Sequence, residues 1–155
     1  MLSSSRFVVA VHVMSLLAHY GKKGPVCSAV IAKSVDTNPV VIRRIMAGLR
    51  EQGYVRSEKG HGGGWTLACD LSKVSLRDIY AALGGPTLLA MSNRVETPGC
   101  LVEQAVNAAL GQAFRDAEAL LLARLGEVTL SMLRADLHRR IVAHGGVHRL
   151  ETAHA

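Results

Sequence analysis

Residues 37–69, TNPVVIRRIMAGLREQGYVRSEKGHGGGWTLAC, leave room for very few folds. Asn38 is a favoured helix N-cap, and Pro39 behind it suits the first helical position, where a missing N–H costs nothing. From there Ile42, Ile45, Met46 and Leu49 recur at the three- and four-residue spacing of one helix face. Gly53 stops the helix after Gln52, as glycine commonly does. Two short alternating segments follow, Tyr54 to Glu58 and Trp65 to Cys69, around Lys59-Gly60-His61-Gly62-Gly63-Gly64. Four glycines among those six residues permit positive φ and leave no side chain to block a close approach. The prediction is a capped helix running straight into a glycine-tipped hairpin.

The outward face of that helix carries Val40, Arg43, Arg44, Ala47 and Arg50. Just before it, Ser28 is placed to cap a short helix, Ala29 to Ser34, with a turn at Val35 to Thr37. Two helices joined by so short a turn, the second with a small and basic outer face, form a helix-turn-helix; the hairpin makes it winged. The capped helix start is expected to offer free N–H groups and a positive dipole end to a phosphate. The candidate DNA contacts are Ser28, Asn38, Val40, Arg43, Arg44 and Arg50 from the helices, with Arg56, Lys59, His61, Gly62 and Gly63 from the wing.

Charge supports the same partner. The net charge is +6, and its distribution is uneven. Residues 1–65 hold nine Lys and Arg against three Asp and Glu, whereas residues 66–155 hold nine of each. The whole excess lies with the proposed reader, as a polyphosphate partner requires, because cations near phosphates release condensed counterions on binding. A winged helix used only to bind protein has no need of such a segment.

Around the reader, Phe7, Val11, Met14 and Ala18 mark a first helix to about Tyr20, capped from Ser3 to Ser5, with a break at Gly21 to Gly24. Ser75-Leu76-Arg77-Asp78 resembles a capping box and opens a helix to Leu83, stopped by Gly84-Gly85-Pro86. A long helix is expected from Cys100 to about Leu125; sixteen of the 25 residues from Leu101 are apolar. It is too long for the small N-terminal unit to cover, so its expected partner is the same helix of a second subunit, through Val102, Val106, Ala109, Ala113, Leu120 and Leu121. Thr129 to Val142 reads as a last short helix. The fold class is therefore mainly α with a small two-stranded β-wing: residues 1–85 the winged helix-turn-helix, 86–99 a loop, 100–142 the dimerisation helix and short last helix, 143–155 a flexible tail.

Other functions fit poorly. No apolar run approaches the roughly 18 residues of a membrane span, and no signal peptide is expected. Three cysteines, an odd number without CxxC spacing, argue against a disulfide framework and for a reducing cytoplasm. The Ser, His and Asp residues form no nucleophile motif, and the histidines show no HExxH spacing, so no enzyme is expected. The glycine turn lacks the GK[ST] ending of a nucleotide loop and leads into a strand.

The runs PVCSAVIAKSVDTNPVVIRRIMAGLREQGYVRSEKGHGGGWTLA and VSLRDIYAALGG, then a long helix opening at a cysteine, resemble the IscR/NsrR/CymR family of bacterial winged-helix regulators, also called BadM-type. The resemblance covers residues 5–135 and implies a homodimer on double-stranded DNA, usually a repressor at a palindromic operator, with the recognition helix in the major groove and the wing at the minor groove. Members that sense iron, nitric oxide or redox state through an iron–sulfur cluster carry three closely spaced cysteines before the long helix. Here residues 87–110 contain only Cys100. Thiolates normally hold such clusters, so neither a cluster nor another metal site is expected; the alternative is an atypical cluster pooling Cys100 with His12 or His19 in a dimer. Cys100 itself, at a helix start where the dipole favours thiolate, is the candidate redox sensor.

Overall fold

The computed structural model describes residues 6–86 and 99–146. Ser3 to Ser5, residues 87–98 of the expected loop and the tail from residue 147 lie outside the described residues. The elements run α1 (Arg6–Tyr20), a 3₁₀ turn (Gly21–Lys23), α2 (Ser28–Ser34), α3 (Pro39–Glu51), β1 (Val55–Glu58), β2 (Gly64–Leu67), α4 (Leu76–Ala82), α5 (Leu101–Glu127) and α6 (Leu130–Ala143). The fold is a mainly helical winged helix-turn-helix with a long C-terminal helix, as the sequence predicts. No helix among the described residues is long and apolar enough to cross a membrane.

Helix α1 is apolar on most of its surface because it lies in the middle, burying Phe7, Ala10, Val13, Met14, Leu16, Leu17 and Ala18. Around it gather Ile31 of α2, Ile42, Ile45, Met46 and Leu49 of α3, Val55 of β1, Ile79 of α4 and Leu130 of α6, in one core. Phe7 meets Tyr80 edge to face at a centroid distance of 5.9 Å, a geometry aromatic quadrupoles favour. Gly48 allows α3 to lie against the end of α4, since a Cβ there would stand 2.8 Å from the Ala82 carbonyl oxygen.

The capping box at α4 forms as expected. Ser75 Oγ accepts from the Asp78 N–H at 3.2 Å, and Asp78 Oδ2 accepts from the Ser75 N–H at 2.8 Å. The α5–α6 corner is stitched to the segment just before α4. Leu76 N–H donates to Val128 O at 2.9 Å, Leu130 N–H to Val74 O at 2.9 Å, and Ser131 N–H to Leu71 O at 3.0 Å.

Boundaries shift modestly from those expected. Helix α5 spans Leu101–Glu127, with Cys100 as its N-cap, and Thr129 caps α6. At 1.5 Å per residue α5 is about 40 Å long, and none of its residues is buried within the chain.

Candidate nucleic-acid interface

Helix α3 separates its two kinds of side chain sharply. Ile42, Ile45, Met46 and Leu49 are buried, while Asn38, Val40, Arg43, Arg44 and Arg50 are exposed, Val40 at 46%. Successive residues leave a helix about 100° apart. Arg43 therefore shares a flank with Arg50, and Arg44 lies on the other flank with Val41. Glu51, two turns beyond Arg44, is also exposed. Its charge disfavours phosphate at that end of the helix, while the first half of α3 carries no acidic side chain.

The start of α3 corrects one expectation. Asn38 Oδ1 accepts from the Val40 N–H at 2.8 Å. Asn38 O accepts from the Val41 and Ile42 N–H groups at 3.0 and 3.2 Å, and Pro39 has no N–H. The first turn is thus largely satisfied internally, and of its backbone donors only the Asn38 N–H stays open. Asn38 also keeps its amide NH₂ for an outside contact.

Ser28 also differs from its expected role. It is the first residue of α2, Cys27 is the N-cap, and Ser28 Oγ accepts from the Trp65 indole N–H at 3.0 Å. Its hydroxyl fixes the wing to α2. A backbone bridge reinforces this: Val26 N–H donates to Trp65 O at 3.0 Å, and Trp65 N–H to Val26 O at 2.9 Å. Glycine is obligatory at the junction, because a Cβ on Gly64 would sit 2.5 Å from Val26 backbone atoms.

The wing is the antiparallel pair β1–β2, with Arg56 opposite Thr66 and Glu58 opposite Gly64. Arg56, Lys59, His61 and Gly62 are exposed; Gly63 is half-buried. A Cβ at Gly63 would fall 2.3 Å from Glu58 O. The turn is consequently thin, and only Lys59 and His61 project side chains from its tip. The expected strands shorten by a residue or two at their outer ends, yet Ala68 N–H still donates to Tyr54 O at 3.0 Å.

The thiols sit apart in kind. Cys27 and Cys100 are exposed and Cys69 is half-buried. Burial pushes the Cys69 thiol above its ordinary pKa, with the neighbouring Asp70 charge acting in the same direction against a backbone hydrogen bond. Along α5, Val102, Val106, Ala109, Ala113 and Leu120 fall on one exposed stripe, Val102 at 73% and Leu120 at 63%. Leu121, expected in the same set, stands about 100° off that stripe and is half-buried. The opposite side of α5 faces α4, where Tyr80 Oη donates to Glu118 Oε1 at 3.5 Å.

The family model for Rrf2, described as an iron-dependent transcriptional regulator, matches residues 3–136. The chain belongs to the Rrf2 family: it is a DNA-binding transcriptional regulator and not an enzyme. YwnA of Bacillus subtilis (strain 168), named as an HTH-type transcriptional regulator, is 32% identical over 115 residues, 74% of this chain and 84% of that protein. The T. potens IscR structure superposes with a TM-score of 0.66 at 20% identity, over 98% of this chain and 92% of that one. The oxidised form of Staphylococcus aureus CymR does so with a TM-score of 0.64 at 23% identity, over 86% and 96%. At those identities the two structures share the fold.

Proposed function

We propose that the chain acts in the cytoplasm as a homodimeric repressor at a palindromic operator, and that it answers a redox or small-molecule signal without an iron–sulfur cluster. The observation that carries the reading is α5, 27 residues long with none buried and an apolar stripe turned away from its own chain. A second copy supplies the missing partner, and two-fold pairing sets two α3 helices against two half-sites. Sedimentation of the full chain at micromolar concentration is expected to give twice the 16.5 kDa chain mass; a single-chain mass would sink the dimer.

The family description raises iron, so the donor set matters. Three thiols are present, of which Cys27 and Cys69 belong to the reader, and burial pushes the Cys69 thiol above its ordinary pKa. Among the described residues no group of three or more His, Cys, Asp or Glu is placed to hold a metal. His12 lies on a groove of about 240 Å³ between α1 and α6. One thiol per chain near α5 does not fit the thiolate set of a cluster. Protein purified without oxygen is expected to be colourless, and a brown protein with visible absorption would restore the cluster reading.

Cys100 is the proposed sensor, exposed at the N-cap of α5. Peroxide would oxidise its thiolate to a sulfenic acid, the peroxide O–O bond breaking and hydroxide leaving. Operator affinity of the wild type is expected to change with peroxide, while that of Cys100→Ser is not; equal sensitivity in both removes Cys100 from the role.

A further inference from the structure

We propose, on the basis of the DNA-reading role of α3, that Arg6 and Arg44 clamp one backbone phosphate beside the major groove, leaving Arg43 as the base-reading arginine. The two side chains belong to different helices, 38 positions apart in sequence, yet line one cleft. That cleft, about 380 Å³, lies between α1 and the α2–α3 turn, and Val35, Asp36, Thr37 and Val41 also line it. Its lining is mixed, with Val9, Val35 and Val41 beside the charged and hydroxyl side chains. Two arginines and one aspartate line it, and among the described residues no ion pair joins Asp36 to either arginine. Thr37 adds a hydroxyl donor on the same wall.

The nearly satisfied first turn of α3 favours such a clamp. With the Val40, Val41 and Ile42 N–H groups all occupied, a phosphate beside this helix start draws mainly on side chains. Arg44 points to that flank. Arg43 does not: it shares its flank with Arg50 and faces away from the cleft, free to reach base edges, where arginine pairs with guanine O6 and N7. Arg6 is exposed and at the start of α1, within the described chain.

The test uses the full chain and two duplexes: mixed genomic fragments, and a duplex enriched from random-sequence DNA by the wild-type protein. Each phosphate contact contributes about 0.9 to the slope of log K against log salt, so losing one costs about eightfold at roughly 0.1 M salt. Arg6→Gln and Arg44→Gln are expected each to weaken binding to both duplexes alike by about that factor and to flatten the slope by about one. The double variant should lose less than the product, because both act on one phosphate. Arg6→Lys should restore the slope. Asp36→Asn, tolerable where φ is +49° because Asn adopts that region readily, should raise affinity for both duplexes. Arg43→Gln should instead narrow the preference for the enriched duplex. An unchanged slope in Arg6→Gln, no gain in Asp36→Asn, or altered sequence preference in Arg44→Gln overturns the clamp while leaving DNA reading intact. Wild type that binds neither duplex would overturn DNA reading and the clamp together.

Discussion

Helices α3 and α5 are built from similar apolar residues and treat them in opposite ways. In α3, four large side chains vanish into the core and the basic ones face out. In α5, Val102, Val106 and Leu120 stay in solvent although the helix is twice as long. The difference lies in how the apolar positions are spread. Those of α3 occupy one flank, which one core satisfies. Those of α5 occupy two opposed flanks, of which the chain covers one, against α4, and leaves the other bare. A helix apolar on both sides has surface for two partners, and the second flank of α5 is the one the proposed second copy would cover.

That contrast can be broken in four ways, beginning with the largest effect. Ile45→Ala should destabilise the protein by about 2–5 kcal/mol in urea unfolding, the usual cost of emptying a well-packed site, whereas Val102→Ala should leave helix content unchanged and act on association instead. If both alter folding equally at low protein concentration, the two flanks are not different in kind. Arg43→Ala should cost about 1–3 kcal/mol of operator affinity with the assembly mass unchanged; Val106→Asp should give a folded single chain, losing operator affinity only through the loss of the second half-site. Ser75→Ala removes the cap of α4, the short helix lying between reader and α5, and should lower stability by about 1 kcal/mol. The smallest effect concerns pH. Hydrogen bonds from Arg140 and then Arg139 hold the exposed Asp136 carboxyl below its ordinary pKa of 3.8. A depressed folded pKa means the stabilisation is complete above that ordinary value and fades as pH falls through the lower one. Melting temperature measured at pH 5 and pH 3 should therefore drop slightly more in wild type than in Asp136→Asn.

Much of this was legible in sequence because the signals are local. Asn38-Pro39, Gly53 and the Gly60–Gly64 turn each impose a backbone geometry on their own neighbours, and the helix and hairpin formed where they point. The Ser75–Asp78 box was legible for the same reason. The misreadings involve partners distant along the chain or a second use of the same atoms. Ser28 looks like a cap until Trp65, 37 residues away, takes its hydroxyl and Cys27 becomes the cap. The start of α3 looks like an open anion site until the Asn38 side chain and carbonyl occupy its N–H groups. Leu121 belongs to the apolar set of α5 by composition but not by azimuth. Likewise no spacing rule announces that Leu130 completes the reader's core, or that Arg6 and Arg44 line one cleft.

The seam between Leu71–Leu76 and Val128–Ser131 has a consequence for where α5 is held. Three backbone hydrogen bonds and the buried Leu130 clamp the α5–α6 corner to the reader. Since Leu130 belongs to the same core as Ile42, Ile45 and Ile79, the α5–α6 corner cannot leave the segment before α4 without breaking those bonds and opening that core, so the long helix is anchored at its C-terminal end and not at its start.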